Sequence, residues 1–340
     1  MLTQVCLVPC VVGAGAIGGW LAEGLARQGC RVSMLARGAT LAALQRDGLR
    51  VLRPSTQASA NAEQTNESIQ AVEAFFDPFS VGQQDLVVLA LKAPALRAVL
   101  PALRPLLGPQ TVVLTAMNGV PWWFTHGLGG PLDGATLASV DPGGELAAAV
   151  PASHVLGCVV HASCSVEAPG VVRHHFGNGL IVGEPAGGSS ERVEALAALL
   201  VRSGFAATVS PRIQRDIWFK LWGNMTVNPV SALTGATTDL ILGDPLVRDF
   251  VSAVMLEAKA IGERIGLPID QQPTDRHAVT LKLGAFKTSM LQDVEAGKPV
   301  ELDALVAAVQ EMGRLVAVPT PFTDALLGLA RLQARVKGLI

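Results

Sequence analysis

The chain has 340 residues, half of them hydrophobic and 16% charged, with a formal net charge of -2. That length suits two domains of ordinary size, and so apolar a composition excludes a disordered chain. The charge balance excludes the broad basic face of a nucleic-acid binder, and no uninterrupted apolar run approaches the roughly 18 residues of a membrane span. Tyrosine is absent and the mean hydropathy is +0.41, the profile of an Ala/Leu/Val/Gly-rich globular protein. The first arginine is Arg27, too late to supply the basic start of a signal peptide. Five cysteines, Cys6, Cys10, Cys30, Cys158 and Cys164, form neither an even nor a compact framework and are expected as reduced thiols in the cytoplasm.

The first half alternates strand-like and helix-like segments, the pattern of a parallel α/β sheet. A strand ends at 11–12, a helix follows over 17–28, and "RVSMLAR" (31–37) reads as the next strand. Pro9 would break the ladder of a longer first strand, so either the strand covers only about 10–13 or residues 1–9 are an irregular lead-in. The polar stretch 55–70 reads as a loop or irregular strand. "DLVVLALKAP" (85–94) and "TVVLTAMNG" (111–119) read as buried strands with a helix over 94–107 between them. Residues 127–150, rich in Gly, Pro and Ala, read as a long loop or small insertion.

Beyond 151, "HVLGCVVHAS", "GVVRHHF" and "GLIVGEP" predict antiparallel strands appended to the sheet. Strand alternation would put Cys158 and Cys164 on one face and His161 on the other, so no metal site is expected there. From Arg212 onward the pattern is helical: 212–230, 246–266 (closed by Gly266 and Pro268), 274–296, 300–315 and 320–337. The expected fold is therefore an α/β Rossmann-type N-terminal domain over 1–211 followed by an all-α C-terminal domain over 212–340.

"VVGAGAIGGWLAEGLARQG" places Gly13, Gly15 and Gly18 in G-x-G-x-x-G spacing between a strand and an amphipathic helix. Gly13 permits the tight turn, Gly15 lets a pyrophosphate approach the backbone, and Gly18 allows close helix–strand packing. With Ala14, Ala16 and Ile17 this turn presents the N–H groups of a helix start to an anion. The following strand ends in Ala36 and Arg37, where an NAD site would carry a carboxylate about 20 residues on. A guanidinium there suits a 2′-phosphate and favours NADP(H); a solvated loop cation is the other reading of Arg37.

Lys92 and the pair Asn118-Gly119 fall near the C-terminal ends of two parallel strands, where open α/β sheets bind ligands. In "WFKLWGNMTVNP", Lys220, Asn224 and Asn228 recur at four-residue steps and so share one face of a helix. Lys92 and Lys220 are the only lysines before residue 259, so a lysine among Trp, Leu, Met and Val calls for a reason. Ser289 and Glu301 follow in "TSMLQDVEAGKPVELDAL". Hydride transfer to a carbonyl needs a proton donor for the new alkoxide, a cation for its developing charge and anchors for the rest of the substrate; a largely buried lysine can serve the first two needs. Each has a blander reading: the asparagines as helix cross-links, Lys287 and Lys298 as surface charges, Trp122 and Trp123 as core packing. His126, His154, His174 and His175 show no partner pattern.

"GAGAIGG", "LKAP", "NGV", "KLWGNMTVNPVSALTG" and "TSMLQDVEAGKPVELDAL", in this order over nearly the whole chain, resemble the ketopantoate reductase (2-dehydropantoate 2-reductase) family. The resemblance implies a cleft between the two domains and NADPH-dependent reduction of 2-dehydropantoate to pantoate, a step toward pantothenate and coenzyme A. By it, Lys220 is the general acid, and Asn118, Asn224 and Asn228 hold the substrate and orient the nicotinamide. Ser289 binds the substrate carboxylate, Glu301 its hydroxyl or Lys220, and Lys92 and Arg37 contact the cofactor. The partners so implied are a small 2-oxo acid and, as an assembly, a homodimer; neither nucleic acid, membrane nor metal is expected. Pro121, Trp122 and Trp123 stand where the family has a small residue, which keeps open a different 2-oxo acid as substrate. A third reading is a non-catalytic NADP(H)-binding sensor.

Overall fold

The computed structural model describes residues 7–54 and 65–340; the start of the expected lead-in, including Cys6, and most of the polar stretch from 55 lie outside the described residues. The chain divides into two compact units, Met1–Met117 with Ala148–Ile213, and Asn118–Ala147 with Gln214–Ile340. The sequence predicts a single boundary near 211, with 118–147 in the first domain; the structure gives that segment to the second unit. The reason lies in its hydrogen bonds. Glu311 accepts from the backbone N–H groups of Ala138 and Ser139, each at 2.8 Å, and Gln214 donates to the His126 carbonyl at 3.1 Å.

The first unit is built on ten strands: β1 (Pro9–Val12), β2 (Ser33–Leu35), β3 (Leu49–Pro54), β4 (Thr65–Gln70), β5 (Glu73–Phe75), β6 (Leu86–Leu89), β7 (Val112–Ala116), β8 (Val155–Ala168), β9 (Val171–Gly183) and β10 (Ala206–Val209). They lie in the order β4-β3-β9-β8-β7-β6-β1-β2-β5, with β10 beside β9. The run from β5 through β8 is all parallel, and every residue of β1, β6 and β7 is buried, as a sheet covered on both faces requires. β1 is central, flanked by β2 and β6, so the strand order reverses there. Pro9 is the first residue of β1, a place where a missing N–H is tolerated.

β8 and β9 form one long antiparallel hairpin, where three shorter strands were expected. A bulge between the His161–Gly179 and Ser163–Phe176 pairs bends β9 without ending it. Cys158 and Cys164 both pack on the core of this unit, while His161 is exposed. Among the described residues no group of three or more His, Cys, Asp or Glu is placed to hold a metal ion.

Helices α1 (Ala16–Arg27), α2 (Gly38–Asp47), α3 (Leu96–Leu103) and α5 (Glu191–Arg202) belong to this unit, and the chain passes from the second unit back to the first within the short α4 (Glu145–Ala149). α1 buries Trp20, Leu21, Ala22 and Leu25, and also Glu23, whose carboxylate is fully shielded from solvent. Arg53 of β3 answers that charge at 2.5 Å, as a buried carboxylate demands.

The second unit is helical: α6 (Ile213–Thr234), α7 (Thr238–Gly243), α8 (Pro245–Arg264), α9 (Pro273–Leu281), α10 (Ser289–Glu295), a π-turn over Asp303–Ala307, α11 (Ala308–Leu315) and α12 (Pro321–Val336). α6 runs through Pro229 to Thr234, past the expected end at 230, because packing of Trp218, Leu221, Trp222 and Met225 outweighs the loss of one donor. Trp222 also donates to the Met255 carbonyl of α8 at 2.7 Å.

The single helix expected over 274–296 is two. α9 stops at Leu281, the backbone turns at Gly284, and Thr288 starts α10 by accepting from the N–H of Leu291. Thr238 of α7 ties down this break, donating to the carbonyls of Gly284 and Phe286. No helix among the described residues is long and apolar enough to cross a membrane.

Candidate active site

In the first unit, the turn from β1 into α1 is shaped by two glycines. Gly13 has φ 113°, and a Cβ there would lie 2.5 Å from the Ala90 carbonyl oxygen. At Gly18 a Cβ would meet the Gly13 carbonyl oxygen at 1.9 Å. A larger residue at Gly13 would crowd the chain that leaves β6, and one at Gly18 would push α1 away from the turn.

Gly15 is different. It is the residue before the first turn of α1, and a Cβ there would have nothing within 4 Å among the described residues. α1 has no side-chain cap and no acid in its first turn, so the N–H groups of Ala16, Ile17 and Gly18 begin a helix with its positive end open. With Ala14, these residues form a backbone cradle that fits a diphosphate.

The rest of the same edge is set by strand register. Val12, Leu35 and Leu89 are paired, so the residues after β1, β2 and β6 emerge together. After β2 come buried Ala36 and exposed Arg37, the residue before α2, and no carboxylate. After β6 comes half-buried Lys92, which precedes a 3₁₀ turn over Ala93–Ala95. The strand is shorter than expected and Lys92 lies three residues beyond its end.

In the second unit, Lys220 Nζ donates to Asn118 Oδ1 at 2.9 Å. Asn118 follows β7 by two residues, and the two residues after it are held against Ala304. Gly119 has φ 81°, and a Cβ there would fall 2.7 Å from the Ala304 carbonyl oxygen. The next residue, Val120, donates its N–H to that same oxygen at 2.8 Å. Ala304 belongs to the π-turn that begins just after Glu301; single π-turns inside helices are common at functional sites.

Asn224 is half-buried and Asn228 is 7% exposed, one and two turns along α6 from half-buried Lys220. Glu301 is half-buried, whereas Ser289 is exposed, the first residue of α10. Trp122 and Trp123 are buried, at 6% and 3% exposure. Lys287 pairs with Glu295 on the surface at 2.7 Å.

Arg276 escaped the sequence reading. Its Cζ lies 5.5 Å from the centre of the Phe219 ring, and its Nε is 2.7 Å from where a Cβ of Gly223 would be. A single arginine in "PTDRHAV" carries no spacing signal; the one hint was a glycine at 223 inside an otherwise bulky helix.

A glycine-turn α/β unit, and a helical unit that holds an ammonium against an amide beside two further asparagines, define an oxidoreductase of the two-unit dehydrogenase class. The family description "Ketopantoate reductase PanE/ApbA" matches residues 10–123, and "Ketopantoate reductase PanE/ApbA C terminal" matches residues 212–334. A 2-dehydropantoate 2-reductase from Mesorhizobium japonicum is 47% identical over 96% of this chain and 98% of its own. One from Halobacterium salinarum is 29% identical over the same shares. A solved chain from Ralstonia solanacearum, named as a candidate ketopantoate reductase, is 54% identical over 99% of this chain and 100% of its own, with a TM-score of 0.91. The chain belongs to the ketopantoate reductase family.

Proposed function

We propose that the protein reduces 2-dehydropantoate to pantoate with NADPH, and that Lys220 is the general acid. The observation that carries the reading is the Lys220–Asn118 hydrogen bond. The bond fixes an ammonium at the head of a row of amides, which is what a new alkoxide needs: one proton donor of opposite charge, with neutral donors to hold the substrate. The relatives named 2-dehydropantoate 2-reductase supply the substrate.

When bound, the reduced nicotinamide supplies the hydride to the 2-oxo carbon. Gly13, Ala14, Gly15, Ala16, Ile17 and Gly18 would cradle its diphosphate, with Arg37 on the 2′-phosphate and Lys92 beside it. Lys220 gives its proton to the oxygen of the former carbonyl and stabilises the charge that develops there. Asn118 holds Lys220 and, with Asn224 and Asn228, orients the substrate; Ser289 binds toward the carboxylate, and Glu301 binds the substrate hydroxyl or Lys220. A cytoplasmic homodimer is the form we propose for it.

A second reading, reduction of another 2-oxo acid, draws on Pro121, Trp122 and Trp123 after the Asn-Gly turn. The burial of both tryptophans favours the first reading, because interior side chains account for their presence without a role toward substrate. The test is oxidation of NADPH by the purified protein with 2-dehydropantoate, with NADH run in parallel. Rapid turnover with NADPH alone supports the proposal. Absent turnover in a protein that binds NADPH rejects this substrate and moves the search to other 2-oxo acids, or to a sensor if none is reduced.

A further inference from the structure

We propose that Arg276 reads the carboxylate of the 2-oxo acid, a role that rests on the reduction proposed above. Its guanidinium packs over the face of Phe219 and flat on α6 at Gly223. These two positions bracket Lys220 and adjoin Asn224, so the cation is set beside the polar row, one face round the same two turns of helix. Gly223 makes the placement possible, since any Cβ would displace Nε.

Among the described residues no carboxylate pairs with this cation. Arg276 Nε is buried and has no hydrogen-bond partner among the described residues. Burial pushes the pKa of the guanidinium down, with no acidic neighbour acting against it. An aromatic face offsets part of the cost of withdrawing a guanidinium from water, but leaves the buried Nε–H unanswered. A carboxylate answers both needs, since its two oxygens match the planar fork in charge and in geometry.

The test compares wild type, Arg276→Met and Arg276→Lys on 2-dehydropantoate and on its methyl ester, which keeps the ketone and removes the charge. NADPH affinity is titrated for each. The Met variant is expected to raise KM for the acid about 10- to 100-fold while KM for the ester stays within about 2-fold and NADPH binding is unchanged, with partial recovery in the Lys variant. Equal losses on acid and ester would show that Arg276 only shapes the helix packing, and weakened NADPH binding would show that it reads a cofactor phosphate; either overturns the inference. If wild type reduces neither compound, the reductase reading fails separately. Calorimetric titration with 2-dehydropantoate alone then decides: weaker binding by the Met variant upholds the inference, and equal or undetectable binding by both proteins overturns it.

Discussion

Lys220 and Asn118 are 102 residues apart in the chain and 2.9 Å apart in the fold. The pairing has a fixed polarity, because an ammonium can only donate and only the carbonyl oxygen of the amide can accept. A hydrogen bond to a charged group contributes about 1.5–3 kcal/mol, enough to hold the lysine head in one direction. The asparagine is rigid in turn, as Gly119 and Val120 lock its turn onto the carbonyl of Ala304.

The first prediction concerns that pair. Asn118→Ala should lower kcat about 10- to 100-fold, because an undirected ammonium is a poor proton donor. If Asn118 acts through Lys220, adding Lys220→Ala should cost little beyond Lys220→Ala alone. Additive losses in the double variant would show that the two side chains work independently.

The turn carries its own prediction. Gly119→Ala combines a left-handed backbone with a Cβ 2.7 Å from the Ala304 oxygen. Strain of this kind costs about 1–3 kcal/mol. Calorimetry should show a lower Tm, and steady-state assay a lower kcat with little change in cofactor affinity.

Gly15 and Gly18 should part company. None of the described residues lies within 4 Å of a Cβ at Gly15, whereas at Gly18 it would be 1.9 Å from the Gly13 oxygen. Gly15→Val should therefore leave Tm almost unchanged and weaken NADPH binding by about tenfold or more, through lost approach to the backbone. Gly18→Val should lower Tm outright. Equal Tm losses in both would remove the case for Gly15 as an approach point.

Arg37 is exposed and follows a strand end that lacks a carboxylate. Arg37→Ala should raise KM for NADPH about 10- to 100-fold, the value of a charge-assisted contact, and leave KM for NADH where it was. A solvated cation with no role toward the cofactor would move neither.

What was legible in the sequence was the local part. The alternation of buried strands and helices marked the parallel sheet, and the four-residue step of Lys220, Asn224 and Asn228 placed them on one helix face because the α-helix has a fixed period. The break between α9 and α10 was missed, although Gly284 and Thr288 are an ordinary stop and start, because the apolar pattern on either side kept the helical period. The sequence puts the far end of α6 at 230, four residues short, since tertiary packing carries the helix on to Thr234. The return of residues 118–147 to the helical unit depends on Glu311 and Gln214, far away in the chain. So do the partner of Lys220 and the placement of Arg276: pairings at long range have no period to betray them.

The most direct test of the central claim is the rate of NADPH oxidation with 2-dehydropantoate by Lys220→Ala beside wild type, at saturating cofactor. Loss of a general acid predicts a fall in kcat of about 10²–10⁴ with NADPH binding intact. Turnover at the wild-type rate, or a defect confined to cofactor affinity, would contradict the assignment of Lys220 as the proton donor.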